Sequence, residues 1–443
     1  MVDARGSDYD AIVIGGGPSG CSYAITLARR GYTVLLLERE KFPRFHIGES
    51  LLPYTSDVLA QLGLLERVGE AGFPIKTGLE LSGSVRLLRR VALADIGDGY
   101  RDWTFQVERA DFDKILLDAA SEEPNATVLE EARVNKLLFS GERVVGVRYT
   151  RDDRQESATA RFIVDASGRA GVVVRALNLR VTDATLKMAA VFKHFGGLDE
   201  RHNPGVEGDT QIGVHEDGWV WAIPIRKDVI SIGAMASAEL LRRSRPDEVF
   251  TAHVARLPRI QDRIQGTWVH RDLTGEQNFE YHSNTLAGPG YFVVGDAGCF
   301  TDPVFSAGVF LALTTGKRAA EESIKCLEGE SSEADVARRY QSFFKTGYET
   351  YYRLIRAVYD DRRPVMGQFM QKMLDDAGID EKWRVRTLNG DFFTDTNPFV
   401  NRLRQEEAWA LFEKFEPLYD CPIHGEGATT LAPRAAPPVT SVG

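Results

Sequence analysis

Tyr9-Asp-Ala-Ile-Val-Ile14-Gly15-Gly16-Gly17-Pro18-Ser19-Gly20 is the stretch on which the fold turns. A short β-type run, Tyr9 to Ile14, ends in glycines, and a helix-like segment follows over about residues 18–30. Tyr32-Thr-Val-Leu-Leu-Leu-Glu38 then reads as a second buried strand, so the opening is strand, turn, helix, strand. The glycines satisfy GxGxxG in the context that gives the pattern meaning. Gly15 permits the tight turn, Gly17 lets main chain approach a pyrophosphate, and Gly20 lets the helix pack closely on the sheet. The helix start at Ser19 supplies N–H groups and positive dipole to phosphates, and Glu38, at the end of the next strand, is placed to bind ribose hydroxyls.

Working outward, further parallel-sheet pieces lie far away in the chain, at Arg161-Phe-Ile-Val-Asp165 and Gly290-Tyr-Phe-Val-Val-Gly-Asp296. The fold class is therefore α/β, with a Rossmann-like parallel sheet that is discontinuous in sequence. Between the pieces, Lys187–Phe195, Trp219–Ile225 and Val229–Ala236 alternate apolar and polar residues, which predicts a separate antiparallel sheet. From Glu333 to Tyr359, Val336, Tyr340, Phe343, Phe344, Gly347, Tyr351 and Leu354 recur every three or four residues and predict a helix; another is expected over about Val400–Phe415. The expected organisation assigns 1–75, 105–185 and 286–330 to the nucleotide domain and 76–104 and 186–285 to a substrate domain. Residues 331–424 form a C-terminal helical region, and 425–443, rich in Gly, Ala, Pro and Thr, form a disordered tail.

At 443 residues and 43% hydrophobic, the chain can bury a core large enough for two or three lobes. No apolar run reaches the roughly 18 residues of a membrane span, and Met1-Val2-Asp3-Ala4-Arg5 leads to the first strand with no signal-like segment, so a cytoplasmic protein without membrane contact is expected. Cys21, Cys299, Cys326 and Cys421 are scattered, with no metal-ligand spacing, which argues against structural zinc and a disulfide framework. A formal charge of -10 without clustered Lys and Arg argues against nucleic acid as a partner.

Asp165-Ala-Ser-Gly168 and Gly295-Asp296 each follow an apolar strand, and with the glycine turn they resemble the large FAD-dependent monooxygenase family. The resemblance implies FAD, with Asp296 on its ribityl chain. Within that group, three stretches resemble the flavin-dependent halogenases. Trp219-Val-Trp221-Ala-Ile223-Pro224 matches the WxWxIP signature at every fixed position, and tryptophans two apart on a strand share a face. In the family this bulky wall separates flavin from substrate. Phe73-Pro-Ile-Lys76-Thr-Gly78 looks like the segment carrying the family's active-site lysine, which implies that Lys76 holds hypohalous acid, or forms a haloamine, and aims it at the substrate. Asp302-Pro-Val-Phe305-Ser-Ala307-Gly308-Val309 opens a helix-like run; the resemblance puts the halide on main chain near Ala307 and Gly308, with Gly308 and Val309 beside the flavin.

Two softer matches, Phe42–Ser50 and Val107–Asp113, resemble stretches that line the flavin site, with Arg44 and Arg109 as phosphate contacts or, equally, surface ion pairs. His46 reads as a structural hydrogen-bonder. The resemblance spans about residues 8–325. It implies an oxidoreductase of secondary-metabolite (antibiotic) biosynthesis that takes reduced FAD from a separate flavin reductase and uses dioxygen with chloride or bromide. The sequence departs from tryptophan halogenases at Phe305, where they carry a glutamate, and is similar instead to phenol and pyrrole halogenases, many of which act on rings tethered to an acyl or peptidyl carrier protein. The alternatives are an aromatic hydroxylase of the same fold, which WxWxIP speaks against, a flavin dehydrogenase, and a non-catalytic flavoprotein that docks partners. The base that takes the ring proton is left unassigned.

Overall fold

A computed structural model describes residues 7–83, 87–97, 99–183, 188–199, 202, 208–277, 280–359 and 378–423. The expected tail beyond residue 424 lies outside these residues. Two large sheets organise the chain. In the first, Tyr9–Ile14 lies parallel to both Arg154–Asp165 and Val34–Leu37, with Tyr291–Val293 and Ala126–Leu129 continuing the parallel order outward. Ala11, Ile12, Val13, Ile163 and Val164 have no exposed surface, as strands covered on both faces require. Each of the larger aliphatic side chains contributes about 1.5–3 kcal/mol of burial.

Helix Pro18–Arg29 leaves the first strand and packs along helix Gly308–Leu327, with the Ser22 hydroxyl donating to the Leu313 carbonyl at 2.7 Å and Tyr23 donating to Ser323 at 2.9 Å. A Cβ on Gly20 would collide with the Gly15 carbonyl oxygen, so only glycine allows helix and strand this close. Gly15 sits at φ +110, where a side chain would strike the Ala166 carbonyl.

The second sheet has seven strands and contains Met188–Gly196, Gly218–Pro224 and Val229–Ser237, close to the three expected segments. It is not purely antiparallel. Thr210–His215 pairs in parallel with Gly78–Ser82, because these two strands belong to separate passes of the chain through the sheet and run in the same direction. The long helix Glu333–Val358 is capped by Ser332, which accepts from the Asp335 amide at 3.2 Å, and buries all seven of the periodic residues. Its Tyr340 hydroxyl donates to the Val293 carbonyl and its Tyr351 hydroxyl to the Asp302 carbonyl, which fixes the helix across the loops leaving the last parallel strand.

The helix expected over about 400–415 is shorter. It spans Pro398–Arg404, with the Asn397 side chain accepting from the Phe399 and Val400 amides. The reason lies on the long helix. Arg353 collects the Arg404 and Glu406 carbonyls at 2.7 Å, while Glu349 takes the Leu411 and Phe412 amides at 3.1 Å, so the chain is drawn off the helical path. Among the described residues, no helix is long and apolar enough to cross a membrane, and no group of three metal-ligating side chains occurs.

Candidate active site

One cavity of about 1200 Å³ runs from the glycine turn to the paired tryptophans. Gly15, Gly17, Ser19, Glu38, Arg44, Arg109, Asp296, Gly308, Val309, Trp219, Trp221 and Ile223 line it. Gly20, Pro224, Ala307 and Lys76 stand behind this surface. The volume exceeds the usual range for drug-sized ligands and suits a dinucleotide with room for a further ring.

The dinucleotide end fits FAD in shape and donor chemistry. The nearest group to a Cβ built on Gly17 is an Arg44 guanidinium nitrogen at 3.7 Å, so main chain there meets open space below a cation. Glu38 is held by its neighbours: one carboxylate oxygen accepts from the Gly16 amide at 2.7 Å and the other from the Glu40 amide at 2.8 Å. Each oxygen keeps a lone pair that a ribose hydroxyl can use.

Arg44 and Arg109 are not surface ion pairs. Both converge on Asp113, which has no exposed surface; Arg109 binds it through two nitrogens at 2.8 and 2.9 Å, and Arg44 at 2.9 Å. Burial alone would raise the Asp113 carboxyl, but the two guanidiniums outweigh it and hold the group below the usual carboxylate value. The remaining Arg109 nitrogen donates to the Ile47 and Gly48 carbonyls. Arg109 therefore braces the 46–49 loop, and Arg44 is the arginine nearer the glycine turn. His46 turns Nδ1 to the Ile47 carbonyl at 2.6 Å, a structural contact.

Asp296 follows strand Tyr291–Val293, and its carbonyl accepts from the Tyr281 hydroxyl at 2.6 Å. Burial pushes its carboxyl up to about 6 against the pull of Arg109 and Arg169. Ala307 is the N-cap of helix Gly308–Leu327, next to Ser306 at φ +58. The first-turn amides of a helix lack partners within it, and a Cβ built on Gly308 would meet nothing within 4 Å, so this end can receive an anion. Phe305 is partly buried against the main core.

Trp219 and Trp221 stand on one face of strand Gly218–Pro224 with ring centroids 5.8 Å apart. Trp221 donates Nε1–H to Ser231 at 3.2 Å. Trp219 donates to the Tyr359 hydroxyl at 2.7 Å, and Tyr359 donates to the Asp302 carboxyl at 2.9 Å. Asp302 is buried, which pushes its carboxyl up to about 6 against the hydrogen bonds from Tyr359 and the Val304 amide. The paired tryptophans, the loop before helix Gly308–Leu327 and the end of the long helix are thus one hydrogen-bonded unit.

Lys76 lies on the short strand Ile75–Lys76, paired with Thr104–Phe105. It is 5% exposed, yet among the described residues its ammonium donates only to neutral oxygens, the Ser50 hydroxyl at 2.9 Å and the Leu51 carbonyl at 3.1 Å. Burial lowers its pKa to about 8, with Asp209 pulling the other way. Ser50 in turn pairs with Thr210 at 2.9 Å, and both of these line the cavity, so Lys76 is one hydrogen bond behind its surface. Gln106 completes the set by donating to Thr210 at 2.8 Å.

Sequence reasoning missed Ser50, Gln106, Thr210, Tyr359 and the hydrogen-bonding part of Asp302. Ser50 closes the quoted stretch Phe42–Ser50 and was within reach; nothing local marks Thr210 or Tyr359.

Residues 8–338 match the family described as "FAD binding domain". The chain is 33% identical over 364 residues to a tryptophan 2-halogenase of Chondromyces crocatus, covering 80% of this chain and 68% of that protein. It is 29% identical to a 1H-pyrrole-2-carbonyl-[peptidyl-carrier protein] chlorinase of Pseudomonas fluorescens, covering 80% of this chain and 84% of that one. Among solved structures it is similar to the myxobacterial chondrochloren halogenase CndH, with TM-score 0.76, 31% identity and coverage of 90% and 96%. The flavin-dependent brominase Bmp2 gives TM-score 0.78, 28% identity and coverage of 90% and 97%. The chain belongs to the flavin-dependent halogenases, FAD-dependent oxidoreductases that use dioxygen and a halide.

Proposed function

We propose that this enzyme halogenates an electron-rich ring, phenolic or pyrrolic and presented by a carrier protein, with hypohalous acid directed by Lys76. The observation that carries the reading is a buried ammonium bonded, among the described residues, only to neutral oxygens, one hydrogen bond behind a cavity whose wall includes Trp219 and Trp221. Bound FAD, reduced by a separate flavin reductase, supplies the electrons with which dioxygen oxidises chloride or bromide to hypohalous acid. Gly15, Gly17, Ser19, Glu38, Arg44 and Asp296 hold that cofactor, with Gly20 setting the turn and Arg109 the adjoining loop. Main chain at Ala307 and Gly308 holds the halide, and Val309 continues that surface. Trp219 and Trp221, with Ile223 and Pro224 continuing the strand, keep the substrate ring off the flavin, and their surface offers hypohalous acid no thiol or amine to consume it.

Lys76 polarises the acid. An ammonium with a pKa near 8 remains mostly charged at pH 7 and is a stronger proton donor than an ordinary lysine. Two of its three N–H bonds are spent on Ser50 and Leu51, which leaves one to aim. The carrier-protein reading is supported by relatives named for pyrrole-2-carbonyl carrier-protein substrates and by Phe305, which offers no carboxylate to an indole. The relative named for tryptophan keeps indole as the competing ring.

The test is turnover with FAD, a flavin reductase, oxygen and bromide, read by two signals: bromination of a free scavenger and bromination of the ring. Lys76→Ala is expected to keep scavenger bromination and to lose ring bromination by about 10²–10⁴-fold. Ring bromination at the wild-type rate would remove the lysine from the mechanism.

A further inference from the structure

We infer that Glu49 is the catalytic residue that takes the proton from the substrate ring. This rests on the halogenation reading above and goes beyond it by assigning the base. Glu49 is 2% exposed and lines the cavity. One carboxylate oxygen lies 2.9 Å from His194 Nε2, and the other has no hydrogen-bond partner among the described residues. His194 is equally buried, and among the described residues neither of its ring nitrogens makes a hydrogen bond, so Nε2 meets Glu49 as a close polar contact. A buried carboxylate oxygen without a partner costs about 1–3 kcal/mol or more, because water is removed and nothing replaces it. This pair leaves one carboxylate oxygen without a partner among the described residues, on a residue that lines the cavity.

The surroundings put the Glu49–His194 pair near the halogenation end. Glu49 directly precedes Ser50, the hydroxyl that accepts from the Lys76 ammonium. Its main chain is locked, since its carbonyl accepts from the Val107 amide at 2.7 Å. His194 is flanked by the rings of Phe45 and Phe192 at 6.0 and 6.4 Å, and Phe192 lies 6.1 Å from Trp221. Across the sheet His194 is in register with Ser231, the residue that holds Trp221. The pair thus joins the lysine shell to the tryptophan wall in an apolar frame that suits a planar ring.

The step balances. The ring carbon bonds the halogen as the O–X bond of hypohalous acid breaks. The departing oxygen, carrying its own hydrogen, takes a second proton from the Lys76 ammonium and leaves as water. The Glu49 carboxylate takes the ring proton, and its return to the lysine, directly or through solvent, restores both groups. The net change is ring C–H plus HOX to ring C–X plus water, with no further oxidant.

The experiment compares wild type with Glu49→Gln, which keeps the shape, and Glu49→Asp, which keeps the charge. The probes are phenol and a pyrrole-2-carbonyl thioester, each unlabelled and ring-deuterated, with FAD affinity read separately by flavin fluorescence. In Glu49→Gln, scavenger bromination and FAD affinity should stay within about twofold of wild type. Ring bromination should fall at least about 100-fold, with a deuterium isotope effect of about 2 or more where wild type shows one near 1, because ring deprotonation becomes limiting. Glu49→Asp should recover part of the rate. Ring bromination by Glu49→Gln within about twofold of wild type overturns the assignment, as does a parallel loss of FAD affinity and scavenger bromination with no isotope effect. Wild-type enzyme that brominates neither scavenger nor ring overturns the halogenation reading itself, a result distinct from either of those.

Discussion

At the Gly15–Gly20 end the cavity wall is largely main chain, shaped by one continuous strand, turn and helix. At the Lys76 end it is side chains brought together from residues 49–50, 210, 219 and 221, with Lys76, Gln106, Tyr359 and Asp302 behind them. The first end is specified by what backbone can approach without collision. The second is specified by buried polar groups whose partners are long-range contacts of both sheets, and there the positions of a charge and of open acceptors carry the chemistry. Changes at the flavin end should lower stability and cofactor affinity together, while changes at the lysine end should separate stability from activity.

The largest effect is expected for Asp113→Ala, which strands two guanidiniums, Arg44 and Arg109, beside the cavity. Removing one member of a buried charge cluster costs about 3–5 kcal/mol, so urea unfolding should show a loss of that size together with weaker FAD binding. Because the folded-state pKa of Asp113 is depressed, its contribution is present above the unfolded carboxylate value of about 4 and is lost as pH falls below it. The wild-type advantage over Asp113→Ala should therefore shrink on acidification below about pH 4.

Next is Lys76→Met, for which the account predicts opposite signs in activity and stability. Burying the ammonium depresses its pKa to about 8, so between pH 8 and 10.5 the unfolded chain binds more protons than the folded one, and wild-type stability rises with pH across that window. Lys76→Met should be about 1–3 kcal/mol more stable than wild type at pH 7, a margin that narrows toward pH 10, while ring halogenation is lost. A variant less stable at pH 7, with no pH dependence in the difference, would mean that the lysine is structural.

The smallest effect is expected for Tyr359→Phe. It removes the hydroxyl between Trp219 and Asp302, and should cost about 1–3 kcal/mol in unfolding while changing the tryptophan emission. FAD affinity should hold, since Tyr359 belongs to the other end.

The same contrast explains what sequence could disclose. The parallel strands, the glycine turn, Glu38 and Asp296 were legible because each constraint is local: apolar β-runs, a turn that only glycine allows, an acid at a strand end. Trp219, Trp221 and Lys76 were legible only through resemblance, since a lysine on a two-residue strand has no periodic signature. Glu49 lay in the stretch Phe42–Ser50 but with no role of its own, and His194 and Thr210 had no signal of function, because their meaning comes from strands paired far apart in the chain, such as the parallel pairing of Thr210 with Leu79. The early end of the last helix at Arg404 was hidden for a like reason, as it depends on Arg353 and Glu349, roughly 50 residues before it in the chain.

The most direct test of the central claim is mass spectrometry of a phenol product formed with bromide under ¹⁸O-labelled dioxygen and a flavin reductase. The account predicts a product with the paired isotope pattern of bromine and no ¹⁸O on the ring, formed only when halide is present. A ring carrying ¹⁸O and no bromine, formed equally without halide, would contradict it.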